Sequence, residues 1–97
     1  PMSAHATRLA QILATQDQAQ LSVQEQSMCH TYTSLLWRRQ TGKVLRCISR
    51  EQRGEFIRDY AFLLTLMRLT AAEQNVRGEL METFLRKYPE VEGVDLL

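Results

Sequence analysis

The chain predicts an all-α fold, a single small domain of about four helices that is expected to assemble as a homodimer. Three observations carry this reading. Residues 59–69, DYAFLLTLMRL, are apolar around most of a helical circumference. At about 100° per residue, Phe56, Tyr60, Leu63 and Met67 form one stripe, Ile57 and Leu64 widen it, and Phe62, Leu66 and Leu69 fall on its far side. Such a helix must be covered on more than one side, by other helices or by a second copy of the chain. Next, Ser22 with Glu25, Ser49 with Gln52 and Thr70 with Glu73 are three capping-box patterns, each marking a helix start. Finally, 97 residues allow one core. A chain of this size buries only about 60–70% of its unfolded surface, so a dimer would add stability.

The first helix is expected over residues 4–20. His5, Leu9, Ile12, Leu13 and Gln16 share one narrow face, and Ala or Gln fills nearly everything else. Because QDQAQ at 16–20 adds almost no apolar surface, this helix is expected at the periphery with a weak grip on the core. The second helix, 23–40, opens at the Ser22 box. Met28, Tyr32, Leu35 and Leu36 are its expected core face, and Gly42 is placed to end it in the left-handed conformation. Trp37 is the anomaly, lying about 140–200° from Met28, Tyr32 and Leu35, on the side of Val23, His30 and Ser34. Either this helix is buried on both sides, or Trp37 anchors an interface, a role in which Trp is over-represented.

Residues 43–48, KVLRCI, break the helical rhythm with weak alternation and β-branched residues, which predicts a short extended connector. It is read as packing through Val44, Leu45 and Ile48, with strand addition to a partner as the alternative. The Ser49 box opens a helix over 50–69, whose first turn Gly54 weakens by up to about 1 kcal/mol relative to Ala. After it the core face changes. Val76, Leu80, Met81, Phe84, Leu85 and Tyr88 are rotated by roughly 70° from the preceding stripe. With the Thr70 box, this predicts a break near residues 69–70 and a fourth helix over 71–88, in preference to one continuous helix over 50–88. Glu73 with Arg77 and Glu82 with Arg86 are favourable acid-first pairs on its outer face. Pro89 ends the helix. The acidic tail, 90–97, carries Val94, Leu96 and Leu97 and is expected to fray.

Composition narrows the chemistry. Hydrophobic residues make up 44% and charged residues 24%, ordinary for a soluble globular chain. Met2, behind Pro1, is the expected natural start, and the residues after it read as a polar helix rather than a signal peptide. No apolar run approaches the roughly 20 residues of a membrane span, so a cytoplasmic location without a membrane partner is expected. Cys29 and Cys47 have neither disulfide-framework nor zinc spacing and are expected reduced. Cys29 and His30 diverge by about 100° on a helix, which makes Cys29 a core residue and leaves no metal or cofactor to expect. There is no nucleophile motif and no glycine-rich phosphate loop, and only His5 and His30 titrate near neutrality. The chain is therefore read as a non-enzyme with no catalytic residues. It also lacks the internal repeat of a solenoid.

Charge is uneven. Residues 38–58 carry Arg38, Arg39, Lys43, Arg46, Arg50, Arg53 and Arg58 against Glu51 and Glu55, net +5, whereas residues 59–97 are net −3. The expectation is an internally compensated surface, with the acidic helix beside the basic stretch in one molecule or across a dimer. A small nucleic-acid-binding protein using segment 38–58 is the alternative. Against it stand an overall charge of +1 and the uninterrupted helix from Val76 to Tyr88, where a helix-turn-helix would turn.

In size and helical layout the chain resembles the small bacterial anti-activators, of the QslA and TraM kind, that bind and sequester quorum-sensing transcription factors of the LuxR type. The resemblance implies a dimeric helical regulator that grips a transcription factor and prevents its dimerisation or DNA binding. Charge and expected exposure then place the partner-binding residues. Trp37 is the aromatic anchor, Val44, Leu45 and Ile48 are the apolar contacts, and Arg38, Arg39, Lys43 and Arg46 form the rim that steers an acidic partner.

Overall fold

In the computed structural model, residues 4–15, 17–39, 42–71, 73 and 76–94 are described. They form an all-α domain of five α-helices: α1 (Ala4–Thr15), α2 (Val23–Arg39), α3 (Gly42–Arg46), α4 (Arg53–Leu69) and α5 (Val76–Lys87). There is no strand among the described residues.

Helix α4 is the centre. Phe56, Ile57, Asp59, Tyr60, Ala61, Phe62, Leu63, Thr65 and Leu66 are all buried on it, and the cover its apolar circumference demands comes from α2, α5 and α1 of the same chain. Helix α1 grips more firmly than its composition predicts. Leu9, Ile12 and Leu13 are all buried, and the helix packs on both α4 and α5. It is also shorter than predicted, ending at Thr15 ahead of a 3-10 turn at Gln18–Gln20. The side chains of His5 and Gln16 lie outside the described residues.

Of the three capping boxes, only the first forms. The Glu25 N–H donates to the Ser22 hydroxyl at 3.2 Å, and the Ser22 N–H donates to the Glu25 carboxylate at 2.7 Å. Arg8 on α1 completes the hub, donating to both Glu25 oxygens at 3.0 and 2.7 Å. Burial disfavours the Glu25 charge, but the hydrogen bonds from Ser22 and Arg8 outweigh it and hold the carboxyl below its ordinary range. Ser49 instead donates to the Gln52 side chain at 3.1 Å and opens a 3-10 turn at Arg50–Gln52. Thr70 closes α4 rather than opening α5, since its hydroxyl donates to Leu66 O at 2.7 Å and its N–H to the same oxygen at 2.9 Å. The expected break near residues 69–70 is present, and α5 starts at Val76.

Helix α2 is rotated from its predicted face. Its buried residues are Glu25, Cys29 and Leu36, while Leu35 is 39% exposed and Met28 and Tyr32 are half-buried. Glu25 is drawn inward by Arg8 and Ser22. One turn on, the Cys29 thiol, a core residue as expected, donates to the Thr65 hydroxyl of α4 at 3.4 Å. With these two polar ties the buried face of the helix lies about 60° from the purely apolar stripe, roughly half of one residue's angle.

Helices α4 and α5 are joined by an aromatic cluster of Phe56, Tyr60, Phe84 and Tyr88, with the Phe56 and Tyr88 rings edge-on at 5.0 Å. Beside it, Asp59 is 5% exposed. Its Oδ2 accepts from the Tyr88 hydroxyl at 2.5 Å and from Lys87 Nζ at 2.8 Å. The tail is docked rather than frayed as far as Val94. Pro89–Val91 forms a 3-10 turn with Val91 buried, Gly93 turns the chain at φ 81°, and Val94 packs on the core. Leu96 and Leu97 lie outside the described residues.

Gly78 is exposed on α5, and a Cβ there meets nothing within 4 Å. Gly78→Ala is expected to stabilise the fold by about 0.4–1 kcal/mol, mainly by restricting the unfolded chain. A higher urea midpoint at unchanged slope is the readout.

Candidate functional site

The site is built where α2 ends and the chain crosses to α4. The last turn of α2 carries Trp37, 46% exposed, followed by Arg38 and Arg39. Cations are favoured there by the partial negative charge of a helix C-terminus. Gly42, expected as the left-handed terminator of α2, is instead the first residue of α3, and the positive φ among the described glycines belongs to Gly93.

Residues 43–48 are not extended. Gly42–Arg46 is a single helical turn, tightened at its end by bonds from Cys47 N–H to Val44 O (3.0 Å) and from Ile48 N–H to Leu45 O (3.2 Å). The turn is helical because Val44 and Ile48, four residues apart, both enter the core. Arg53 reinforces it from α4, its Nε donating to Leu45 O at 3.0 Å and to Ile48 O at 3.2 Å. Coiled as a helical turn, 43–48 presents no strand edge for strand addition.

The predicted contact set therefore divides. Trp37, Arg38, Arg39, Lys43 and Arg46 are exposed and Leu45 is half-buried, all on one stretch of surface. Val44 and Ile48 are core residues and are out of a partner's reach, which removes them from the predicted contacts. Trp37, Gly42, Leu45, Arg46 and Arg53 line a shallow recess of about 330 Å³.

Around that recess the charge is uncompensated. Arg38, Arg39, Lys43, Arg46, Arg50 and Arg58 are exposed, and none pairs with a carboxylate among the described residues. Arg46 donates back to Gly42 O at 3.2 Å. Three carboxylates are engaged with other cations. Glu82 meets Arg86 on α5 at 3.3 Å, and Glu55 and Asp59 meet Lys87 at 2.9 and 2.8 Å. Helix α5 packs on α4 and α1 rather than on α3.

The chemistry of the remaining polar groups is limited. Burial pushes the Cys29 thiol up, which the hydrogen bond with Thr65 only partly offsets, so the reactive thiolate is disfavoured. His30 is exposed beside it. Among the described residues no three His, Cys, Asp or Glu side chains group as a metal would require, and no helix is long and apolar enough to cross a membrane.

Two features escaped the sequence reading. One is the Arg53 clamp, which nothing in the local pattern signals. The other is an outward groove of about 300 Å³ between α2 and α4, lined by Ser27, Met28, Thr31, Tyr32, Leu35 and Arg68. It holds Met28, Tyr32 and Leu35 of the residues assigned to the α2 core face, while Leu36 is buried as expected; the i, i+4 spacing of Glu25 and Cys29, with Leu36 seven residues on, was the signal for the true face. Comparison with protein families, curated proteins and solved structures finds no match for this chain.

Proposed function

We propose that this chain is a non-enzymatic binding module that grips a protein partner through Trp37 and Leu45, with Arg38, Arg39, Lys43 and Arg46 as a charged rim. The observation that carries the reading is an exposed Trp37 beside a cluster of cations without carboxylate partners among the described residues. A large aromatic surface gains most when a partner desolvates it. Unpaired cations around it raise the on-rate for an acidic surface and reject a basic one. The resemblance in size and helical layout to small helical anti-activators makes a transcription factor the partner class to test. In that reading a cytoplasmic homodimer covers the factor's dimerisation or DNA-binding surface.

The test uses the tagged full chain on native cell lysate, with and without nuclease, followed by titration of any protein retained. Trp37→Ala is expected to weaken that complex by more than about 2 kcal/mol, roughly thirtyfold. An unchanged affinity removes Trp37 from the interface. The same unpaired arginines favour a second reading, binding to nucleic acid. It requires capture that is lost on nuclease treatment, and a salt dependence that flattens when Arg38 and Arg39 become Ala.

A further inference from the structure

Resting on that reading of the Trp37 surface, we infer that the occupant of the recess is an acidic amphipathic helix that inserts one apolar side chain between Trp37 and Leu45.

Backbone groups decide against an extended occupant. An extended peptide binds by adding hydrogen bonds to a free edge. Here the carbonyls of Leu45 and Ile48 are taken by Arg53, and the N–H groups of Cys47 and Ile48 are taken within the turn. What the surface offers is side chains. A segment that docks on side chains alone must satisfy its own backbone, which a helix does.

Size limits what can enter. At about 330 Å³ the recess lies at the small end of ligand-sized cavities, about 300–1,000 Å³. It is a shallow depression, apolar at Trp37 and Leu45, with Arg46 and Arg53 also in its lining. That shape takes one large apolar side chain.

Charge selects an acidic helix. Arg38 and Arg39 follow Trp37 in sequence, and Lys43 and Arg46 lie on the neighbouring turn, all exposed and without carboxylate partners among the described residues. A helix that carries carboxylates a turn to either side of its apolar residue would meet both groups. A basic helix would be repelled by them.

Trp37 is the chain's single tryptophan and is half-exposed, so its fluorescence reports directly on the recess. The probe is a synthetic Trp-free peptide of roughly 15 residues, long enough to hold a helix once bound, rich in Glu with one central Leu. Added to the full chain, it is expected to shift the emission to the blue and saturate. Replacing the peptide's central Leu by Ser, or adding a mid-helix Pro, is expected to weaken binding at least about tenfold each. Arg38→Ala with Arg39→Ala in the chain is expected to weaken it similarly.

Equal binding by the Ser or Pro peptide, or saturation without a spectral shift, overturns the inference. So does a duplex DNA that produces the shift and competes with the peptide. If no acidic peptide binds but Trp37→Ala still abolishes capture of a cellular protein, the helical occupant fails and the binding-module reading stands. If neither Trp37→Ala nor the arginine pair alters that capture, the reading itself fails.

Discussion

Phe56→Ala is expected to cost about 3–5 kcal/mol of folding stability. Phe56 is 0% exposed and lies at the point where α4 meets α5, its ring 5.7 Å from Tyr60, 5.7 Å from Phe84 and 5.0 Å from Tyr88. Truncation removes the transfer energy of the ring and leaves a cavity that three rigid aromatic neighbours cannot easily fill. A domain this small has a total stability near the lower end of about 5–15 kcal/mol, so the variant should be largely unfolded on modest warming. Urea unfolding followed by circular dichroism measures the loss. A cost below about 1.5 kcal/mol would mean that α5 collapses into the gap and that the cluster is less rigid than its geometry indicates.

Asp59→Ala is expected to cost about 3 kcal/mol, and Asp59→Asn about 1 kcal/mol. The carboxylate is 7% exposed on its side chain and holds two donors of α5, Tyr88 at 2.5 Å and Lys87 at 2.8 Å. Removing it strands the Tyr88 hydroxyl in the core, which is the larger part of the loss. Lys87 is a third exposed and keeps Glu55 at 2.9 Å, so its share is small. Asn still accepts from Tyr88. Glu55→Ala, at an exposed member of the same network, should change stability by no more than about 0.5 kcal/mol and serves as the control.

The same network sets an alkaline limit. Burial, and then the hydrogen bond to Asp59, raise the Tyr88 phenol well above its ordinary value. Burial works against the Lys87 charge, but the bonds to Asp59 and Glu55 outweigh it and raise this group too. Both groups bind their protons more tightly in the folded state than in the unfolded one. Their contribution is fully present below the unfolded values of about 10 and is lost as pH climbs from there through the folded values. Urea midpoints should thus fall as pH rises above about 10, and Tyr88→Phe should flatten that slope. A slope unchanged in the Phe variant would place the alkaline sensitivity elsewhere.

Burial and polar ties explain which parts of the fold were readable. The apolar circumference of 59–69, the change of face before Val76 and the Ser22 box are local patterns, and each reached the structure as read. The Ser49 and Thr70 boxes have the right residues at the right spacing but did not form. Thr70 found a carbonyl within its own helix end, at Leu66. The turn 42–46 was misread because KVLRCI is rich in β-branched residues. Its Val44 and Ile48 also fit a helical turn, and the core together with Arg53 selected that alternative.

Of the candidate site, the composition was legible and the orientation was not. Trp37 followed by two arginines can be read from any sequence, but whether that tryptophan faces a core or water depends on how α2 is rotated. That rotation is set by Arg8 reaching Glu25 across 17 positions and by Cys29 reaching Thr65 across 36. Val44 and Ile48 could be read both as packing residues and as partner contacts, and burial decided for the first. The sequence by itself determined an all-α domain around one central helix, because periodicity and apolar content act over a single turn. Only the tertiary structure decided which face of α2 is buried, that 42–46 coils, and that the exposed cations of the basic segment meet no carboxylate among the described residues. These depend on contacts between residues far apart in the chain, where a few hydrogen bonds choose between faces of nearly equal hydrophobicity.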